Sequence, residues 1–143
     1  MTAELVFQIA NFWALSGWMA LIVVAVLKRE RWLDATTLLW PFSLATAYTA
    51  LIIFFFFRAP GGFDSLTNVQ LLFTDHWAAL AGWVHYLALD LFIGCWISLQ
   101  FLQRDLPRFL LIVILPMTFL FGPIGLLLYG FSKLAFDRES ISA

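Results

Sequence analysis

The sequence predicts an all-α integral membrane protein: a bundle of four transmembrane helices, with a short interfacial helix before the third. Of its 143 residues, 63% are hydrophobic and only 12% are charged, and the mean hydropathy is +0.93. Soluble globular domains are far less apolar. Four apolar runs of about 20 residues, the length that crosses a bilayer, leave room for a single membrane domain over residues 1–143 and nothing more. The predicted spans are residues 5–27, 36–57, 77–102 and 109–131.

The first two spans meet at a short basic loop. The first span ends at "KRERW", where Lys28 and Arg29 can reach lipid headgroups. The second span is expected to begin at a cap formed by Asp34 or Thr36. Pro41 would then lie in or near the first turn, where a proline removes few backbone hydrogen bonds.

The second half of the chain holds the longest loop and an interrupted fourth span. Residues 58–76 form the loop, and "DSLTNVQLLF" within it predicts a short helix in the membrane interface behind an Asp64 or Ser65 cap. Pro116 and Pro123 should kink or break the fourth span.

Charge and cysteine content exclude several classes of protein. Eight basic and nine acidic residues give a net charge of −1, which lacks the basic field that nucleic acid binding needs. The single cysteine, Cys95, cannot form an intrachain disulfide and is expected to pack among apolar side chains. Five basic residues lie in the first and third loops against three elsewhere, which predicts that both termini lie outside the cytoplasm. An N-terminus without signal- or transit-peptide features favours a bacterial inner membrane.

The third span carries two ionisable side chains in "GWVHYLALDLFIG" (82–94), with no basic residue to neutralise the acid. An ionised Asp90 near the bilayer centre would cost about 2.5–3.5 kcal/mol on insertion scales, so we expect it to face protein or water. Burial favours the neutral forms of Asp90 and His85, which makes one an acid and the other a base. Their side chains point about 140° apart, whereas Tyr86 shares the stripe of Asp90. Two interpretations stay open: a catalytic group of His85, Asp90 and Tyr86, or satisfied packing and hydrogen-bonding residues.

Aromatic side chains on the third and fourth spans suit a pocket for an extended polyene or isoprenoid, and "GPIG" (122–125) allows close helix approach. The candidate ligand-binding residues are Trp83, Phe92, Trp96, Thr118, Phe119, Gly122 and Pro123. A metal ion is the weaker alternative, because Asp75 and His76 lie near the interface, about two turns before His85. No metal site is therefore predicted.

Three motifs occur in a characteristic order. "GWVHYLALDLFIG" (82–94) is followed by "LPRFLLIVILP" (106–116) and "TFLFGPIGLLLY" (118–129). Over about Ser65 to Gly130, the chain resembles the abscisic-acid-deficiency-type membrane protein family of plants and bacteria. The resemblance implies a polytopic membrane protein of carotenoid biosynthesis, similar to neoxanthin synthase, which is linked to conversion of the epoxycarotenoid violaxanthin to the allenic neoxanthin.

The resemblance also implies a type of chemistry. Isomerising an epoxide to an allene delivers one proton to oxygen and removes another from a polyene carbon, so it needs an acid and a base but no cofactor. On this hypothesis Asp90 is the acid, His85 is the base, and Tyr86 or Thr118 donates a hydrogen bond. Two other functions stay open: a non-catalytic carotenoid- or lipid-binding membrane subunit, and a small transporter. The expected partners are the lipid bilayer and a hydrophobic carotenoid-like ligand, with a homodimer left open.

Overall fold

The computed structural model describes residues 2–27 and 29–136, and every regular element within those ranges is helical. The all-α prediction is therefore confirmed for this part of the chain. Lys28 and Arg138, which entered the charge count above, lie outside the described residues. The helices are α1 (Ala3–Val26), α2 (Glu30–Phe55), α3 (Leu66–Leu72), α4 (His76–Gln103), α5 (Leu111–Phe121) and α6 (Pro123–Phe136), with 3-10 turns at Phe56–Arg58 and Arg108–Leu110.

Three of the described helices are long and apolar enough to cross a membrane: α1, α2 with the turn that follows it, and α4. The segment predicted as a fourth span holds α5 and α6, which separate at Gly122. At 1.5 Å per residue these helices are about 17 and 21 Å long, too short to cross a hydrocarbon core of about 30 Å. The helical membrane character of the prediction stands, but its count of four spans is not confirmed.

Helix α2 begins earlier than the sequence predicted, at Glu30. The cap expected at Asp34 or Thr36 is wrong, because both residues lie inside the helix. Thr36 is buried, and its hydroxyl donates to the Trp32 carbonyl at 2.8 Å. The helix thus begins four residues before Asp34, the earlier of the two expected caps. Pro41 consequently lies in the helix interior, where it removes a backbone hydrogen bond.

Helix α4 is the central element and packs against α1, α2, α5 and α6. Two glycines bring its neighbours close. A Cβ on Gly94 would lie 2.7 Å from the Trp18 ring, and a Cβ on Gly17 would lie 2.7 Å from both Leu91 and Trp40. Small residues at helix contacts let backbones approach within a membrane, where van der Waals packing is a main source of helix association. The three long helices therefore form one closely packed bundle.

Helices α3 and α4 each begin at a residue whose side chain caps the helix. Ser65 Oγ accepts a hydrogen bond from the Asn68 amide at 3.2 Å, so the short helix and one of its two expected caps are present. Asp75 Oδ1 accepts from the Trp77 and Ala78 amides, both at 2.9 Å. Asp75 thus serves as the cap of α4. Within the described ranges, no group of three His, Cys, Asp or Glu residues is placed to hold a metal ion.

Helices α5 and α6 form a hairpin. A Cβ on Gly125 would lie 2.6 Å from the Thr118 amide nitrogen and 2.7 Å from its Cα, whereas residues seven apart in a continuous helix are separated by about 10 Å along the axis. Further along α6, the Tyr129 hydroxyl lies 3.3 Å from Gln100 Oε1, near the C-terminal end of α4. The chain therefore runs along α5 to the middle of α4, reverses at Gly122 and returns along α6.

Candidate functional site

The tip of the α5–α6 hairpin contacts α4 at Asp90. This side chain is only 6% exposed, and a Cβ on Gly122 would overlap its carboxylate. The carboxylate lies against Gly122, with Oδ1 as the nearer oxygen, while Oδ2 is buried and has no hydrogen-bond partner among residues 2–27 and 29–136. Only glycine at position 122 leaves room for this contact.

Tyr86 lies one turn before Asp90 on the same face of α4, and its hydroxyl lies beside the Asp90 carboxyl. That hydroxyl donates to the Leu120 carbonyl at 2.8 Å, with the Phe119 carbonyl at 3.3 Å. The last carbonyls of a helix have no partner within it, and neither do its first amides. Tyr86 therefore caps the end of α5, and the Asp90 carboxyl group lies at the break before α6.

This arrangement satisfies a strict requirement of the membrane environment. Non-helical backbone at membrane depth is tolerated only where protein or a water-filled cavity satisfies its polar groups. Helix α6 also begins with Pro123, a residue favoured at the first helical position, and its positive N-terminal end lies near the Asp90 carboxyl. The buried acid and the broken helix thus form one structural unit.

His85 lies elsewhere. Its side chain is exposed, and its ring stacks on Tyr48 of α2 with centroids 5.1 Å apart and planes 25° apart. The structure brings Tyr86 and Asp90 together, as their shared stripe predicted, but it does not bring His85 to Asp90. His85 instead borders a small cavity of about 100 Å³ whose aromatic lining is Tyr48, Phe55, Phe56, Phe63, Phe73 and Trp77.

The predicted ligand-binding residues of α4 are spread along the helix. The Trp83 indole donates to Asn11 Oδ1 at 2.8 Å, whereas Trp96 packs edge-on against Tyr129 with centroids 5.0 Å apart. These two tryptophans are about 20 Å apart along the helix axis. Phe92 between them is exposed. The structure does not join these three aromatic residues into one enclosed pocket.

The predicted residues of the hairpin also separate. The Phe119 ring packs edge-on against Trp18 with centroids 5.4 Å apart, which connects α5 to α1. Thr118 is fully buried, and its hydroxyl donates to the Ile114 carbonyl at 2.8 Å within α5. Pro123 is exposed. Of the predicted hairpin residues, Gly122 and the Phe119 carbonyl are the ones that reach the Asp90–Tyr86 pair.

Sequence reasoning missed the roles of Leu120, Gly125 and Tyr129. A glycine followed directly by proline, at residues 122–123, is a typical helix end followed by a helix start. That pattern could have predicted two helices and hence the need for capping groups. It contains no information on which side chains supply them.

The fold and site define a class: a polytopic helical membrane protein with a helical hairpin docked on a buried carboxyl group. A family model described as ABA DEFICIENT 4-like matches residues 5–129. The chain belongs to this family, and the match includes α1 and α2, which the motifs of the second half did not cover. Membership agrees with a membrane protein in carotenoid-related metabolism. No curated protein and no solved structure matches the chain.

Proposed function

We propose that the protein binds an oxygen-bearing isoprenoid of the carotenoid class inside the bilayer and isomerises it by proton transfer, with Asp90 as the acid. One observation carries the proposal: Asp90 is 6% exposed at the hairpin tip, and its Oδ2 has no partner among the described residues. A carboxyl group in that position is neutral unless a cation pairs with it. The proton of the neutral acid would reside on Oδ2, the oxygen without a partner, and would reach a ligand oxygen once Oδ2 is uncovered.

A single carboxyl group can balance the protons of an epoxide-to-allene isomerisation. The epoxide C–O bond breaks as its oxygen takes the Asp90 proton. The resulting carboxylate then accepts a proton from a polyene carbon, whose C–H electrons form the second of two cumulated double bonds. The acid is regenerated, and no oxidant, reductant or cofactor is consumed. The separation of His85 from Asp90 therefore does not obstruct this chemistry, and a role for His85 as base stays a prediction.

Access to Oδ2 requires movement of the hairpin tip. Oδ2 is closed off in this conformation, and the tip is held on α4 by the close contact of Gly122 with Asp90 and by the Tyr86–Leu120 hydrogen bond. A ligand that takes the Asp90 proton would displace the tip and compete with these contacts. Tyr86 would remain beside the carboxyl group and could donate its freed hydroxyl hydrogen to the ligand oxygen.

A second candidate function has its own supporting observation. The Tyr86 hydroxyl bonds a backbone carbonyl near the end of α5, and the Asp90 carboxyl group lies against Gly122, where the helix breaks. Capping alone would account for two polar residues at this depth without any catalysis. The alternative is therefore a non-catalytic membrane subunit that binds a carotenoid-like lipid.

The test uses purified protein in lipid nanodiscs with violaxanthin, followed by chromatographic analysis of the pigments over time. Asp90→Asn keeps the shape of the side chain against Gly122 but removes the acid, so we expect normal folding and loss of turnover of at least about 100-fold. Asp105→Asn, which changes an exposed carboxyl group, is the matched control and should retain full activity. Full turnover by Asp90→Asn would refute the acid role. Bound pigment that never changes in the unaltered protein would favour the binding subunit.

We also propose an orientation in a bacterial inner membrane that differs from the one the sequence predicted. If α1, α2 and α4 cross the bilayer, the return of α6 leaves the N-terminal end of α1 and the end of α6 on opposite sides. Among the described residues, Arg58 is the one basic residue on the side of the membrane that holds the N-terminal end of α1. The positive-inside rule then makes the other side, which holds the end of α6, cytoplasmic. The basic residues on that other side are Arg29, Arg31, Arg104, Arg108 and Lys133.

Reporter fusions test this orientation. A green fluorescent protein joined after residue 143 should fluoresce, and an alkaline phosphatase joined there should be inactive. The same reporters joined before residue 1 should give the reverse pattern. The same reporter pattern at both ends would contradict the hairpin topology. It would instead agree with the sequence prediction that both termini lie on one side of the membrane.

A further inference from the structure

We infer that α1 and the start of α5 form a binding site for a phospholipid, with the phosphate on Arg108 and one acyl chain in the groove between the helices. The first observation is the Arg108 side chain. Its Nη1 is buried and has no hydrogen-bond partner among the described residues. A guanidinium group carries five N–H donors and a permanent charge, so a buried, unpaired nitrogen calls for an acceptor.

Arg108 is not simply a surface arginine whose charged group extends into the lipid headgroups. Arginine at a helix end usually extends its charged group outward into water or the headgroup layer. Here Arg108 opens the 3-10 turn Arg108–Leu110 that leads into α5, only a short loop after α4 ends at Gln103. Its side chain is half-buried, with Nη1 turned into the protein. The guanidinium therefore lies at the edge of a groove, close to the loop that joins α4 to α5.

The groove below Arg108 is apolar. Its volume is about 480 Å³, and apart from Arg108 itself every lining residue is apolar. The walls are formed by one face of α1 and one face of α5. The lining includes Ile22, Ala25 and Val26 of α1 with Phe109, Ile112 and Leu115 of the α5 side.

A cation above an apolar groove matches an amphiphile with an anionic head and a hydrocarbon tail. Arginine binds phosphate through two parallel N–H···O bonds, which would supply the missing acceptor for Nη1. If α4 crosses the bilayer, Arg108 shortly after its end lies at the headgroup layer, where the surrounding bilayer presents phosphodiesters at high local concentration. The charge complementarity and the depth of Arg108 therefore favour a phospholipid as the occupant.

The experiment measures lipid binding to detergent-purified protein by native mass spectrometry and by thermal unfolding. Three added lipids separate the contributions: phosphatidylglycerol, phosphatidylcholine and diacylglycerol, of which the last has no phosphate. We expect retained phospholipid and a higher unfolding temperature with the first two lipids but not with diacylglycerol. Stabilisation by phosphatidylglycerol alone would also support the site and would restrict it to heads of net negative charge. Equal stabilisation by diacylglycerol would overturn the phosphate assignment.

Variants assign the effect to Arg108. Arg108→Gln should weaken phospholipid binding at least about tenfold, since it removes a charge-assisted pair. Arg104→Gln is the matched control, because the Arg104 side chain already bonds Gln100 Oε1 at 3.0 Å, and it should bind as the unaltered protein does. Ile112→Trp, at an exposed position in the groove wall, should reduce binding while leaving the charge in place. Unchanged binding in both Arg108→Gln and Ile112→Trp would overturn the proposal.

Discussion

The most direct test of the hairpin is the substitution Gly125→Ala, measured against Gly130→Ala in the same helix. A Cβ at position 125 would lie 2.6 Å from the Thr118 amide nitrogen and 2.7 Å from its Cα, whereas a Cβ at position 130 would meet no atom within 4 Å. Ordinary van der Waals contact needs about 3.5–4 Å, so α5 and α6 would have to separate by about 1 Å. Backbone atoms cannot relieve the overlap by a change of rotamer, as a flexible side chain can.

The magnitude follows from the comparison of the two variants. Both exchange glycine for alanine inside α6, so the gain in helix propensity, up to about 1 kcal/mol, is common to both and cancels. Forcing additional atoms into a packed contact typically costs about 1–3 kcal/mol. We therefore expect the free energy of unfolding of Gly125→Ala to be about 1–3 kcal/mol below that of Gly130→Ala.

The assay is reversible unfolding in mixed micelles, with increasing dodecyl sulfate and tryptophan fluorescence as the readout. The unaltered protein and Gly130→Ala should unfold at similar detergent fractions, and Gly125→Ala at a clearly lower one. Equal midpoints for the two variants would refute the close packing of α6 on α5. A continuous, kinked helix through residue 122 would then be the better description.

Two further substitutions test the capping groups in the same assay. Tyr86→Phe removes the hydroxyl that donates to the Leu120 carbonyl, and we expect a loss of about 0.5–1.5 kcal/mol of unfolding free energy; an unchanged midpoint would indicate that another group satisfies that carbonyl. Asp75→Ala removes the acceptor for two amides at the start of α4 and should cost about 1 kcal/mol, whereas Asp75→Asn should recover most of it. Equal losses in the alanine and asparagine variants would contradict the cap.

Much of the candidate site could be predicted from the sequence, because local rules decide it. Asp90 and Tyr86 share a face at a spacing of four residues, and this holds for any α-helix that contains them. Because an ionised carboxyl group is costly in the bilayer, the sequence alone made Asp90 a candidate functional residue. The separation of His85 from Asp90 follows from the same helical geometry. The partners of these residues were not predictable, since Leu120 and Gly122 act through backbone groups, which every residue has.

The long apolar runs by themselves determined that the chain is a helical membrane protein, because a run of about 20 residues crosses a bilayer as a helix, which satisfies its backbone polar groups within the segment. Only the tertiary structure decided how the chain continues beyond Gly122. A Gly-Pro pair ends one helix and starts another, but it permits either a kink or a reversal. Contacts between residues distant in sequence, Tyr129 with Gln100 and Asp90 with Gly122, select the reversal. Long-range packing and buried hydrogen bonds, which no local pattern specifies, therefore determine the topology and the environment of the acid.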